Sequence, residues 1–84
     1  MTRDEILDEL RALNPKAQDT LLHLWADTFI EYRQAQANIA KNGPLVFHPR
    51  TGAPIDNPYI PIRDRAKSWL VKHRLKPGDL WDRP

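Results

Sequence analysis

The three histidines are the first residues to consider for chemistry, because a neutral imidazole is a common metal ligand and general base. They are His23, His48 and His73, and no His-x-x-x-His or His-Glu-x-x-His motif connects them. His23 and Asp27 lie one helical turn apart and could supply two ligands to a metal ion. Two ligands do not make a site unless the fold adds others. We therefore predict no metal site.

Other catalytic groups are absent or have no partner. The chain of 84 residues has no cysteine, which excludes a disulfide framework, a thiolate zinc site and a cysteine nucleophile. Its three glycines each fit a turn or a helix end, so no glycine-rich loop is available to bind phosphate. The acidic pairs Asp4/Asp8 and Glu5/Glu9 fall in the first turns of a predicted helix, where free backbone amides favour carboxylates. We predict that the protein is not an enzyme and needs no cofactor.

The strongest chemical signal is a cluster of positive charge near the C-terminus. Between positions 61 and 76, six basic residues face a single acid, Asp64, which leaves an excess of five positive charges. The six are Arg63, Arg65, Lys67, Lys72, Arg74 and Lys76. On a helix they form two rows on either side of an apolar stripe. Such rows can contact DNA phosphates, with an affinity that falls as salt rises. The alternative is that the long side chains cover the edge of the core and extend into water.

Helix signals predict the elements that carry these residues. Thr2 and Glu5 have the spacing of a capping box, which begins a first helix, and Asn14-Pro15 is typical of the start of a second. The predicted elements are a short helix (1–14), a long helix (15–42), a proline-rich loop or hairpin (43–60), a basic helix (61–76) and a tail (77–84). The sequence therefore predicts a mainly α fold and one small domain, residues 1–84.

The proline-rich segment has the pattern of a short hairpin. Five of the eight prolines lie between Gly43 and Pro61. Residues 45–48 are typical of a strand, 50–52 of a turn and 53–55 of a return strand limited by proline. Pro61 removes a backbone amide, so the basic helix is expected to begin near it.

Apolar residues outside the predicted core suggest contacts between copies of the chain. The core between the long and basic helices is predicted to contain Trp25, Phe29, Tyr32, Trp69 and Leu70. The long helix has a second narrow apolar strip (Ala26, Ile30, Ala37), and Val71 and Leu75 lie opposite the apolar stripe of the basic helix. Ordinary surface exposure explains such residues equally well. We predict a homo-oligomer whose subunit contacts involve Ile30, Val71, Leu75 and Trp81.

Residues 38–66, NIAKNGPLVFHPRTGAPIDNPYIPIRDRA, resemble the small terminase subunit family of tailed double-stranded DNA phages. In that family a long helix ends in Asn-Gly, an apolar run and a Thr-Gly turn follow, and Asn-Pro introduces a helix rich in basic residues. The matching pieces are Asn42-Gly43, Leu45-Val46-Phe47, Thr51-Gly52, Asn57-Pro58 and Ile62-Arg63-Asp64-Arg65-Ala66. The resemblance extends over about two thirds of the chain. Many relatives carry more N-terminal sequence, often with a helix-turn-helix, which this chain does not match.

This resemblance implies a non-catalytic DNA-packaging protein in the cytoplasm of the infected bacterial host. Its implied partners are double-stranded viral DNA, the large terminase subunit and further copies of the chain in a ring. No apolar stretch is long enough to span a membrane, so no membrane partner is expected. A second interpretation is a protein-only adaptor that engages a larger phage or host protein through its aromatic and proline-rich surface.

Overall fold

A computed structural model describes residues 1–83. Its elements, in chain order, are α1 (Arg3–Leu13), α2 (Asp19–Asn42), β1 (Leu45–Phe47), β2 (Pro54–Asp56), α3 (Tyr59–Lys72) and a short 3₁₀ turn (Leu80–Asp82). The two strands form one antiparallel sheet. The mainly α fold with a proline-rich hairpin between two helices is therefore confirmed.

Helix α1 begins at the predicted capping box and contributes directly to the core. The Thr2 hydroxyl accepts a hydrogen bond from the Glu5 amide at 3.2 Å, and the Glu5 carboxylate accepts one from the Thr2 amide. Three apolar side chains of one face are buried: Ile6, Leu7 and Leu10. They pack against α2, so α1 adds to the core that the sequence predicted between the long and basic helices alone.

Helix α2 begins at Asp19, four residues later than predicted. Residues 15–18 form a turn in which the Ala17 amide donates to the Asn14 carbonyl at 3.1 Å. Asn14 does not cap α2, because its side-chain amide donates to the Lys76 carbonyl at 2.9 Å and its side-chain oxygen accepts from the Lys76 amide at 2.8 Å. Asn14, which the sequence predicts as the cap of α2, therefore connects the end of α1 to the segment that follows α3.

The predicted packing of the long helix against the basic helix is confirmed. Trp25 and Phe29 of α2 and Leu70 of α3 are buried together, and the Trp25 indole N–H donates to the Leu70 carbonyl at 3.3 Å. Tyr32 and Trp69 pack at the edge of this core and remain partly exposed. Each aromatic side chain can bury about 150 to 250 Å², so these rings contribute strongly to the apolar area of a small core.

The hairpin is confirmed, but β1 ends one residue earlier than predicted and β2 is shifted by one residue towards the C-terminus. Leu45 lies opposite Asp56, and Phe47 lies opposite Pro54. The turn closes through a bond from the Gly52 amide to the His48 carbonyl at 2.8 Å, and Gly52 has a positive φ of 69° that favours glycine.

Asn57 connects the base of the hairpin to the end of α2 and to the start of α3. Its side-chain nitrogen donates to the Gly43 carbonyl at 2.9 Å and to the Asn38 side chain at 3.1 Å. Its side-chain oxygen accepts from the Tyr59 amide at 3.0 Å. Asn57 is only 1% exposed, so these bonds replace those that water would otherwise make.

Helix α3 begins and ends earlier than predicted. It begins at Tyr59, because Asn57 supplies the acceptor for the first amide and Pro61 falls within the first turn, where a missing N–H is tolerated. It ends at Lys72 instead of residue 76. The backbone leaves the helical conformation at His73, with a φ of −91° and a ψ of 83°, and Asn14 then binds the Lys76 amide. The chain returns across α1 to the 3₁₀ turn, where Leu80 is fully buried.

Candidate interaction surface

The six basic residues of the predicted DNA-binding set divide into one paired residue and five exposed ones. Arg63 is partly buried and donates to the Asp64 carboxylate at 3.0 Å. The exposed members are Arg65, Lys67, Lys72, Arg74 and Lys76. Within residues 1–83 none of these five has a carboxylate within 4.0 Å. Their charge is thus available to an external anion.

The early end of α3 changes how these residues are arranged. Arg63 and Lys67 share one side of the helix, and Arg65 and Lys72 share the other, as the helical periodicity predicts. Arg74 and Lys76 lie beyond the helix end, so the prediction that they continue these two rows on a single helix was wrong. The positions of Arg74 and Lys76 therefore depend on the tertiary fold and not on the helical periodicity of α3.

A groove lies where α2, α3 and the C-terminal turn meet. Its volume is about 470 Å³. Its lining is mainly apolar or aromatic, with two basic residues: Trp25, Tyr32, Lys67, Leu70, Val71, Arg74, Leu75, Pro77 and Trp81. Three of the four residues predicted to contact other subunits therefore line one concave surface: Val71, Leu75 and Trp81.

The side chain of Trp81 packs against aromatic rings of α2. Its ring meets those of Phe29 and Tyr32 edge-on, with ring centres 5.2 Å away in each case, and that of Trp25 at 6.0 Å. Trp81 is partly exposed and forms part of the groove wall. Its role in a subunit contact stays a prediction, but the tail that carries it is packed on the core.

Ile30 lies away from the groove. It packs against the core together with Ile6, and Ala26 of the same strip is fully buried. Part of the second apolar strip therefore belongs to the core of the chain itself, while Ala37 of the same strip is exposed. Ile30 itself lines a shallow depression with Met1 and Ile6. Its place in a subunit contact remains an untested prediction.

The hairpin, which belongs to the proline-rich surface of the adaptor interpretation, presents a second apolar surface. Phe47 is 75% exposed and Leu45 is 58% exposed. Because side chains alternate along a strand, both point to the same face, and the register adds Pro54 and Asp56 to it. We call these four residues the hairpin face. The alternation of Leu45 and Phe47 was the sequence signal that could have revealed it.

A network of ion pairs joins α1 to α2. Arg3 donates to Asp27 at 2.6 Å and contacts Nδ1 of His23 at 2.7 Å, and Arg11 donates to Asp19 at 3.0 Å. The hydrogen bond from Arg11 lowers the pKa of Asp19, and the bond from Arg3 lowers the pKa of Asp27.

The candidate metal pair is engaged in this network. Asp27 is bound by a guanidinium, and within the described residues no group of three or more His, Asp or Glu side chains could hold a metal ion. The sequence analysis did not identify Arg3 and Arg11 as partners of the pair, because they come from a different helix. Among residues 1–83, no helix is both long enough and apolar enough to cross a membrane.

Comparison with known proteins places most of the chain in one family. A family model described as phage terminase, small subunit, matches residues 2–74, which include all three α-helices and the hairpin. No curated protein and no solved structure gives a match.

Proposed function

Since the chain belongs to the phage terminase small subunit family, we propose that it oligomerises, binds double-stranded viral DNA and presents it to the large terminase subunit. The family supports a role in phage DNA packaging and is generally non-catalytic. The proposed setting is the cytoplasm of the infected bacterium. The observation that carries the DNA-binding part is the set of five exposed basic side chains without carboxylate partners.

These basic residues suit the backbone of a duplex better than its bases. Within the described chain they are free of ion pairs, so binding a phosphate breaks no existing salt bridge. Arg65 and Lys72 lie on one side of α3, seven residues apart, which is about 10 Å along a helix. Each phosphate that they neutralise releases counterions into the solution. Added salt opposes this release, so the affinity for DNA falls steeply as the salt concentration rises. We therefore propose binding with little dependence on DNA sequence.

A duplex titration tests this proposal. A labelled 30-base-pair duplex is titrated by fluorescence anisotropy at two salt concentrations. The double variant Arg65→Ala/Lys72→Ala is expected to bind more weakly and to reduce the slope of log affinity against log salt by about 2, because each lost phosphate contact contributes about 1. The matched control is Lys41→Ala/Arg50→Ala, which removes two exposed charges outside α3 and the segment that follows it. Equal binding by the two double variants would contradict the assignment.

A protein-only adaptor is the second candidate, and the exposed hairpin face favours it. An adaptor would engage a larger phage or host protein through Phe47 and Leu45, which are highly exposed for apolar residues. The same titration separates the two candidates. An adaptor would show neither affinity for the duplex nor a salt dependence.

A further inference from the structure

Two apolar surfaces of the molecule are left uncovered by its own fold. One is convex: the hairpin face, with Phe47 75% exposed. The other is concave: the groove of about 470 Å³, on whose wall Val71 is 62% exposed. Uncovered apolar area of this kind is unfavourable in water and is typical of surfaces that meet a partner.

The two surfaces cannot meet within one chain. The groove contains Trp25, near the start of α2, whereas the hairpin follows Asn42, at its end. Seventeen residues of helix separate Trp25 from Asn42, which is about 26 Å. Tyr32, the α2 residue of the groove that is nearest to the hairpin, is ten residues from Asn42, which is about 15 Å. The bonds from Asn57 to Asn38 and Gly43 hold the base of the hairpin at the far end of α2. The molecule is accordingly elongated, 51 × 22 × 17 Å. A contact between hairpin and groove must therefore join two copies.

The charges of the two surfaces are complementary. Asp56 is the acid of the hairpin face and lies opposite Leu45 in the sheet register. Lys67 and Arg74 are the two basic residues of the groove. Within residues 1–83 none of these three forms an ion pair. Arg50 lies in the turn beyond the strands and does not belong to the hairpin face.

We propose that the hairpin face of one copy occupies the groove of a second copy, with Phe47 and Leu45 against Val71, Leu75 and Trp81. Asp56 then lies near Lys67 or Arg74 of the second copy. The contact joins two different surfaces, so a pair of copies retains one free hairpin, on one copy, and one free groove, on the other. Repetition of such a head-to-tail contact closes a ring when the rotation allows it. This inference rests on the oligomeric part of the proposed function and names the surfaces that produce it.

A complementation experiment tests the contact. Phe47→Asp disables the hairpin face, and Val71→Asp disables the groove. Burial of each side chain is lost and a charge is placed in an apolar contact, so the dissociation constant is expected to rise about a hundredfold or more. Light scattering should give an oligomer for the original chain and a monomer for each variant. An equimolar mixture should give a 1:1 dimer, because one intact hairpin and one intact groove remain in it.

Leu24→Asp is the matched control, since Leu24 is 51% exposed and lies outside both surfaces. It should retain the mass of the original chain. Circular dichroism checks that each variant keeps its helices. If either aspartate variant fails to fold, the charge exchange Asp56→Lys with Lys67→Asp and Arg74→Asp replaces it. The exchange is expected to weaken assembly when only one surface is changed and to restore it when both are changed.

The failures of the two proposals are distinguishable. If the original chain is oligomeric and the Phe47→Asp and Val71→Asp variants keep its mass, the hairpin–groove contact is overturned while oligomerisation stands. A mixture that stays monomeric also overturns it, because a head-to-tail contact requires complementation. If the original chain is a monomer at high micromolar concentration, the oligomeric part of the proposed function fails, and the contact fails with it. The DNA titration is read separately, because its double variant changes Arg65 and Lys72, which belong to neither the hairpin face nor the groove.

Discussion

Replacing Asn57 by Ala should remove the side-chain hydrogen bonds that join the base of the hairpin to the end of α2 and to the start of α3. The side chain makes three hydrogen bonds, to Asn38, Gly43 and Tyr59, with lengths between 2.9 and 3.1 Å. It is 1% exposed, and no buried side-chain polar atom among the described residues lacks a partner. The variant removes all three bonds together and leaves a small void.

The size of the effect follows from these contacts. Each net hydrogen bond contributes about 1 kcal/mol, which sums to about 3 kcal/mol. Water can reach part of the freed groups, because Gly43 is partly exposed and Tyr59 is exposed, and this recovers some of the loss. We expect the free energy of unfolding to fall by about 2 to 3 kcal/mol. For a domain of this size the midpoint temperature should fall by about 10 to 20 °C.

Thermal and urea unfolding followed by circular dichroism measure this change. Asn38→Ala serves as the control, since it removes one of the three bonds, and it should cost about 1 kcal/mol or less. A double-mutant cycle between Asn38 and Asn57 then isolates the bond between them. A loss below about 0.5 kcal/mol for Asn57→Ala would refute the argument, because it would mean that the three bonds are replaced at no cost.

Two further predictions concern the C-terminal segment and acid stability. Gly78→Ala should lower the unfolding midpoint by several degrees, because Gly78 has a φ of 59° and an added Cβ would lie 2.8 Å from Cδ1 of Leu13; an unchanged midpoint in thermal unfolding would contradict this. The lowered pKa values of Asp19 and Asp27 mean that their contribution to stability is complete above the ordinary carboxyl pKa of 3.8 and is lost as pH falls through the lower folded values. Unfolding of the Asp27→Asn variant should depend less on pH below about 4, and an identical pH profile would contradict the network.

The sequence predicted the elements whose signals are local. The capping box of Thr2 and Glu5 spans only four residues of chain, and it is present. The helix stop at Asn42-Gly43 and the hairpin turn at Gly52 are equally local, because a glycine can adopt a positive φ without a steric cost. The exposed basic side chains also follow from composition, because charged groups remain in water unless they are paired.

Only the tertiary structure decided how far the helices extend and which surfaces form. The bonds between Asn14 and Lys76 join residues that are 62 positions apart, and they lie beyond the end of α3 at Lys72. The groove requires Trp25, Val71 and Trp81 at one place, from three separate segments. Helical periodicity gives the direction of a side chain on its own helix but not which neighbour covers it. The packing of α1 on Ala26, and of the C-terminal turn on α2, therefore depends on the whole chain folding together.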